Sequence, residues 1–166
     1  ILIASLLLLI PATIGYAHTK VNYDMLTYLP KDIETMQGQD ILKDEFGTGA
    51  FSMYIVEGMD AKDVVKLKDK IADVDHVKSV IWWDDVASID VPVELLPDQV
   101  YKAFNSGDST VLLILFDEGT SEDGTVAAVR RIRTIGSEQC YLSGMSAVLV
   151  DTEDLSNREA PIYVAM

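Results

Sequence analysis

Residues 1–14 read ILIASLLLLIPATI and contain no charged side chain; the first to follow is Lys20. A helix that spans a bilayer needs about 20 mostly apolar residues, and this run falls a little short. The sequence opens on Ile1 rather than an initiator Met, so a few residues upstream would complete a span. A signal-peptide core is the competing reading. Such cores run roughly 7–15 apolar residues and end near small ones, and Gly15-Tyr16-Ala17 would serve as a cleavage site. The far end favours the spanning reading. Glu159 is followed by Ala160-Pro161-Ile162-Tyr163-Val164-Ala165-Met166, an apolar segment that stops in mid-run. A chain cut at the start of a second membrane helix would end this way, whereas the plainer alternative is an ordinary hydrophobic terminal strand or helix. The two ends together predict a domain excised from between two spans.

The 13 basic and 27 acidic residues leave a formal charge of -14. That charge excludes nucleic acid as a partner, because phosphate binding needs a basic face. It also opposes tight docking on anionic lipid headgroups. Acidic loops are permitted outside a membrane, since Lys and Arg on the inner side set orientation. With 49% of its 166 residues apolar, the chain can bury a real core.

Between the ends, the pattern changes period several times. Tyr23 to Pro30 reads as an extended lead-out ended by Pro30. Asp32 stands at an N-cap position for a helix over 33–46, with Met36, Ile41, Leu42 and Phe46 as its apolar positions and Gly47 as its left-handed stop. Gly38 in its interior weakens it. Phe51 to Glu57 (FSMYIVE) has strand composition, and Gly58 breaks it. Asp60 caps the next helix, with Asp63 also facing its positive end. Val64, Leu67, Ile71 and Val74 follow at spacings of three and four, with Lys62, Lys66, Asp69 and Asp73 opposite. Val77 to Trp83 (VKSVIWW) forms a second strand.

The unit then recurs. Thr110 to Phe116 (TVLLILF) is a continuous apolar run, as expected of a strand covered on both faces. After the turn at Asp117-Glu118-Gly119, Thr120 or Ser121 caps a helix that runs through Ile135. Its apolar side is Val129, Ile132 and Ile135; Arg130, Arg131 and Arg133 face water, and Gly136 ends it. Gln139 to Ser143 is the fourth strand. Two strand-helix-strand units in series predict an α+β fold of ferredoxin-like, split β-α-β type: a mainly antiparallel four-stranded sheet with both helices on one face. The spacing leaves open whether the units share one sheet. Residues 84–108 form an insert punctuated by Pro92 and Pro97, with a short helix over 97–104. It is expected to pack over the sheet or reach a neighbouring domain. A helix after Gly144 leads towards the second span, where Pro161 either opens a new helix or kinks a continuing one.

Little here reads as chemistry. His18 and His76 are the only histidines, with no HxxxH or HExxH spacing, and are read as interfacial and as an exposed turn residue. Cys140 has no partner for an internal disulfide and reads as a small buried hydrophobe. The acidic loop Asp117 to Gly124 has the hard oxygens calcium prefers but not the EF-hand spacing. Capping and the helix dipole account for those carboxylates, and Asp84-Asp85 is read the same way. Trp82 and Trp83 would point to opposite faces of a strand, one into the core and the other towards an interface or an amphiphile. No catalytic, cofactor-binding or metal-binding residue is expected, and no cofactor.

The order of pieces resembles the first extracytoplasmic loop of MMPL-type exporters in the resistance-nodulation-division superfamily. The matching pieces are Tyr28-Leu29-Pro30, Phe46-Gly47, Leu96-Pro97-Asp98, Phe104, Ser106-Gly107-Asp108-Ser109-Thr110 and Ser143-Gly144. The resemblance covers nearly the whole chain. It implies a multi-pass protein of the cell membrane, driven by the proton gradient, that exports hydrophobic or amphiphilic molecules such as lipids. The chain would be its first porter subdomain, partnered by the bilayer, the remaining spans and the second porter loop. Residues 1–17 would close span one, 18–48 lead out, 49–144 form the porter subdomain with its insert 84–108, and 145–166 lead into span two. The family's proton-relay carboxylates lie in later spans, so none is carried over, and no motif locates substrate-lining residues.

Overall fold

The computed structural model describes residues 2–18, 28–86 and 98–165, with side chains over 7–15, 28–86 and 98–160. The chain is α+β. Helix α1 (Leu2–His18) carries Pro11 within it, and Leu7, Leu8, Leu9, Ile10 and Ile14 all stand exposed. No helix among the described residues is long and apolar enough to cross a membrane. Most of the expected lead-out lies outside the described residues. Helix α2 (Glu34–Asp44) is shorter than its pattern predicts. Its N-cap is Ile33 rather than Asp32, and no side chain caps it. None of its residues is buried: Ile41, Leu42 and Phe46, expected to face a core, are exposed. Gly47 does take the left-handed turn, with φ +58, after which the N–H of Thr48 donates to the carbonyl of Leu42.

Strand β1 (Ala50–Glu57), helix α3 (Ala61–Ala72) and strand β2 (Val77–Ile81) form the first unit. The α3 stripe is as its spacing predicts, with Val64, Leu67 and Ile71 buried and Val74 packed against the core. Asp60 is the N-cap residue in extended conformation, but its carboxylate caps no N–H. Beyond residues 87–97, which lie outside the described set with Pro92 and Pro97, come helix α4 (Asp98–Phe104) and the two-residue strand β3 (Asn105–Ser106). Strand β4 (Ser109–Phe116), helix α5 (Asp123–Ile135) and strand β5 (Cys140–Ser143) form the second unit. Helix α6 (Met145–Ala165) follows and continues through Pro161.

Both units share one sheet. Its order is β2-β4-β1-β5, with β3 paired to β4, and every neighbouring pair is antiparallel. Five strands thus replace the four expected, the fifth being the short hairpin arm before β4. Each unit's two strands are separated by one strand of the other, so neither unit closes alone.

Alternation along β1 and β4 sets two faces. Ala50, Ser52, Tyr54 and Val56 of β1, with Thr110, Leu112, Ile114 and Phe116 of β4, are buried. They join Val64, Leu67 and Ile71 of α3, Ala128, Val129 and Ile132 of α5 and Val150 of α6 in one core. Among the described residues no element covers the opposite face, whereas the TVLLILF strand was expected to be covered on both sides. Its apolar run reflects one buried face and one half-exposed face.

The tryptophans do not alternate. Strand β2 ends at Ile81, and a single 3-10 turn (Trp83–Asp85) folds Trp83 back beside Trp82, ring centres 5.0 Å apart. Both are buried, at 1% and 3% exposure. The parity argument fails because it assumes a strand two residues longer than the one formed.

Candidate functional site

Among the described residues, three places bring polar or aromatic groups together in ways that packing alone does not require. The first is a cleft of about 340 Å3 between the start of α3 and the β3-β4 hairpin. Its wall includes Trp82, Trp83 and Tyr101, and its rim the carboxylates of Asp60 and Asp108. The Trp82 indole N–H donates to Thr110 Oγ1 at 2.7 Å, and that hydroxyl donates to the Phe104 carbonyl at 3.1 Å. Tyr101 meets Trp83 edge-on at 6.3 Å. Behind the same wall, Lys68 Nζ lies 2.6 Å from both Asp84 Oδ1 and Asp85 Oδ1, and Asp85 Oδ2 accepts the Trp82 backbone N–H at 2.8 Å. The Lys68 side chain is only 12% exposed. Burial disfavours its charge, and the bonds from Asp84 and Asp85 outweigh that, holding the ammonium above the ordinary lysine range. The same balance, burial against Lys68 and the Trp82 N–H, holds the Asp85 carboxyl low. Asp84-Asp85, read from sequence as capping, therefore clamps α3 to the turn after β2.

The second place is the acidic loop. Glu118 Oε2 accepts the Gly124 N–H at 2.9 Å, and its carbonyl accepts from Thr125 Oγ1, so it caps α5 from six residues before. The N-cap residue is Glu122 rather than Thr120 or Ser121, and its carboxylate pairs with Lys43 of α2. His76 Nδ1 lies 3.3 Å from Asp117 Oδ1 and 3.5 Å from Glu118 Oε1. His76 is also the one non-glycine at positive φ (+66) among the described residues, which places its imidazole over the loop. It is more than an exposed turn residue. No group of three or more His, Cys, Asp or Glu among the described residues is arranged to hold a metal ion.

The third is the sheet face that no described element covers. Phe51 and Met53 of β1 and Tyr141 of β5 are 54%, 46% and 51% exposed. Ile55 of β1 and Leu113 and Leu115 of β4 are half-buried between them. Register places Phe51 opposite Leu115, Met53 opposite Leu113 and Ile55 opposite Tyr141. Antiparallel sheets with one solvated face normally turn polar residues outward; this one turns out apolar residues. The alternating exposure was present in FSMYIVE, but its outer positions are apolar too, so the run alone carried no sign of which face stays open.

Cys140 opens β5, partly buried, with its thiol 3.5 Å from Ser137 Oγ. The side chain of His18 lies outside the described set. Arg130 and Arg133, expected to face only water, tie α5 to α6: Arg130 pairs with Glu153 and Asp154, and Arg133 with Asp151. No protein-family model matches the sequence, and no curated protein matches it.

Proposed function

We propose that the chain is the first extracytoplasmic porter subdomain of a proton-driven, MMPL-type exporter of hydrophobic or amphiphilic molecules, built as a ferredoxin-like split β-α-β domain. The observation that carries the reading is the interleaved sheet. Two strand-helix-strand units, each completed by a strand of the other, stand between an apolar helix at residues 2–18 and the long helix α6. That arrangement supports the resemblance at the level of element order. In this reading the domain performs no catalysis. Its partners are the bilayer, the other spans and a second porter loop of the same polypeptide, and the protein is multi-pass in the cell membrane. The substrate passes along surfaces of this domain rather than through it.

The test is transport by the intact parent protein in vesicles loaded with a fluorescent lipid analogue. Efflux should follow an imposed proton gradient, stop with an uncoupler, and be lost when carboxylates in the parent's other spans become amides. An intact gene encoding no further apolar spans, or efflux indifferent to the gradient, sinks the reading.

A membrane-anchored or secreted binding module without transport is the second reading, favoured by the aromatic cleft of about 340 Å3, a size within the range of small-molecule sites. It requires ligand-dependent quenching of Trp82 and Trp83 fluorescence in a chain that moves nothing across a membrane.

A further inference from the structure

We infer that the cleft between the start of α3 and the β3-β4 hairpin is a binding site for a small organic ammonium ion. The inference names a ligand class for that cleft, and it rests on the second functional reading only in taking the cleft to be a ligand site. Its two rim carboxylates are uncommitted. Asp60 is the N-cap residue of α3, yet its side chain caps no N–H. Neither Asp60 nor Asp108 makes an ion pair or a side-chain hydrogen bond among the described residues. Backbone holds the two on one rim. The Gly58 N–H donates to the Asp108 carbonyl at 2.8 Å, which joins the turn after β1 to the β3-β4 turn. Gly58 and Gly107, left-handed at φ +61 and +57, shape those two turns.

No basic residue is among the described residues that line the cleft. Neighbouring cations are spent elsewhere: Lys102 pairs with Asp98 at 2.8 Å, and Lys68 with Asp84 and Asp85. Lys62, next along α3, is outside the lining. The positive end of the α3 dipole is equivalent to about half a charge, less than two carboxylates supply. A cation is therefore the ligand that the cleft favours. Its wall selects an organic one. Tyr101 is half-buried, and an aromatic face attracts a weakly hydrated alkylammonium. Trp82 and Trp83 are almost closed to solvent, so Tyr101 is the ring a ligand meets, with Trp83 set edge-on behind it. Met59 and Val64 offer apolar contact to the ligand's carbon. A metal ion such as calcium takes six or more oxygens, and no group suited to a metal occurs among the described residues.

The test titrates the full chain, held in a non-ionic detergent that carries no ammonium, with three probes. They are choline, the uncharged alcohol in which carbon replaces the choline nitrogen, and calcium ion. Trp82 and Trp83 are the chain's only tryptophans, so the two indole N–H resonances in proton–nitrogen correlation spectra report on the cleft wall. Choline should shift them saturably, with a Kd of about 1 mM at low salt, as expected of exposed charges and one ring. Asp60→Asn and Asp108→Asn should each weaken binding about threefold, and together at least about tenfold. Both positions are exposed, and Asn serves an N-cap as well as Asp. Glu45→Gln with Glu138→Gln removes the same charge from exposed positions outside the lining, and should change binding less than about twofold. Equal binding of the alcohol, tighter binding of calcium, or indifference to both asparagines overturns the inference while leaving the cleft a ligand site. Silence with all three probes overturns the inference and the second functional reading together.

Discussion

Tyr54 lies on the covered face of β1, 1% exposed, and its hydroxyl has no hydrogen-bond partner among the described residues. The phenol presses on the backbone at Gly136, where any β-carbon would collide with its oxygen. Gly136 was read as a helix stop, and it does end α5, but with φ -70; the need for glycine there is space for a phenol. Burial pushes the Tyr54 pKa above the ordinary tyrosine value. An unpartnered buried hydroxyl contributes nothing that a ring alone would not. Tyr54→Phe should therefore leave stability unchanged or raise it by up to ~1 kcal/mol in urea unfolding. A loss larger than that would mean the hydroxyl has a partner. None of this was legible in FSMYIVE, where Tyr54 is one more strand aromatic. The environment that makes it unusual arrives from residues more than 80 positions later in the chain.

Elements divide by whether their pattern met a partner. The α3 stripe was readable because a 3.6-residue period against a covered sheet face leaves one side for the core. Helix α2 shows the same kind of apolar residues, yet Ile41, Leu42 and Phe46 stand exposed. A stripe states a demand for burial and does not say what meets it. The link from α2 into β1 is tightly built. The Gly49 N–H donates to the Phe116 carbonyl at 3.0 Å, and a β-carbon on Gly49 would strike the backbone of Glu118 and Gly119. Backbone cannot swing aside as a side chain can, so Gly49→Ala should cost about 2 kcal/mol or more, as overpacking does. Thermal unfolding by calorimetry checks this. A cost near zero would mean the β1 entry and the acidic loop can part without consequence. Trp83 shows the reverse failure of local reading: its two-residue parity was sound for a strand that in fact ends at Ile81.

For the whole molecule, pH tests how the pieces are held. Asp85 titrates below its ordinary value in the fold, so its contribution is present above the unfolded carboxyl pKa near 4 and is lost as pH falls through the folded value. Solvent reduces that contribution, since the Asp85 side chain is 45% exposed. Lys68 and Tyr54 titrate above theirs; their contributions are intact below about pH 10 and are lost as pH rises through the folded values. Unfolding free energy against pH should be flat between these limits. Lys68→Met should lower the plateau by about 1–3 kcal/mol by stranding the partly buried Asp84, and should flatten the acid limb. An unchanged profile would show that the clamp between α3 and the turn after β2 carries no free energy. The sequence by itself determined where the strands and helices of both units run, to within a few residues, and which side of α3 and α5 faces inward, because hydrophobic period is a local property of the chain. Only the tertiary structure decided that each unit encloses a strand of the other, that both tryptophans are buried, and that Phe51, Met53 and Tyr141 stand half exposed on one sheet face. Those outcomes depend on which distant segments meet, and residue spacing along a chain does not encode that.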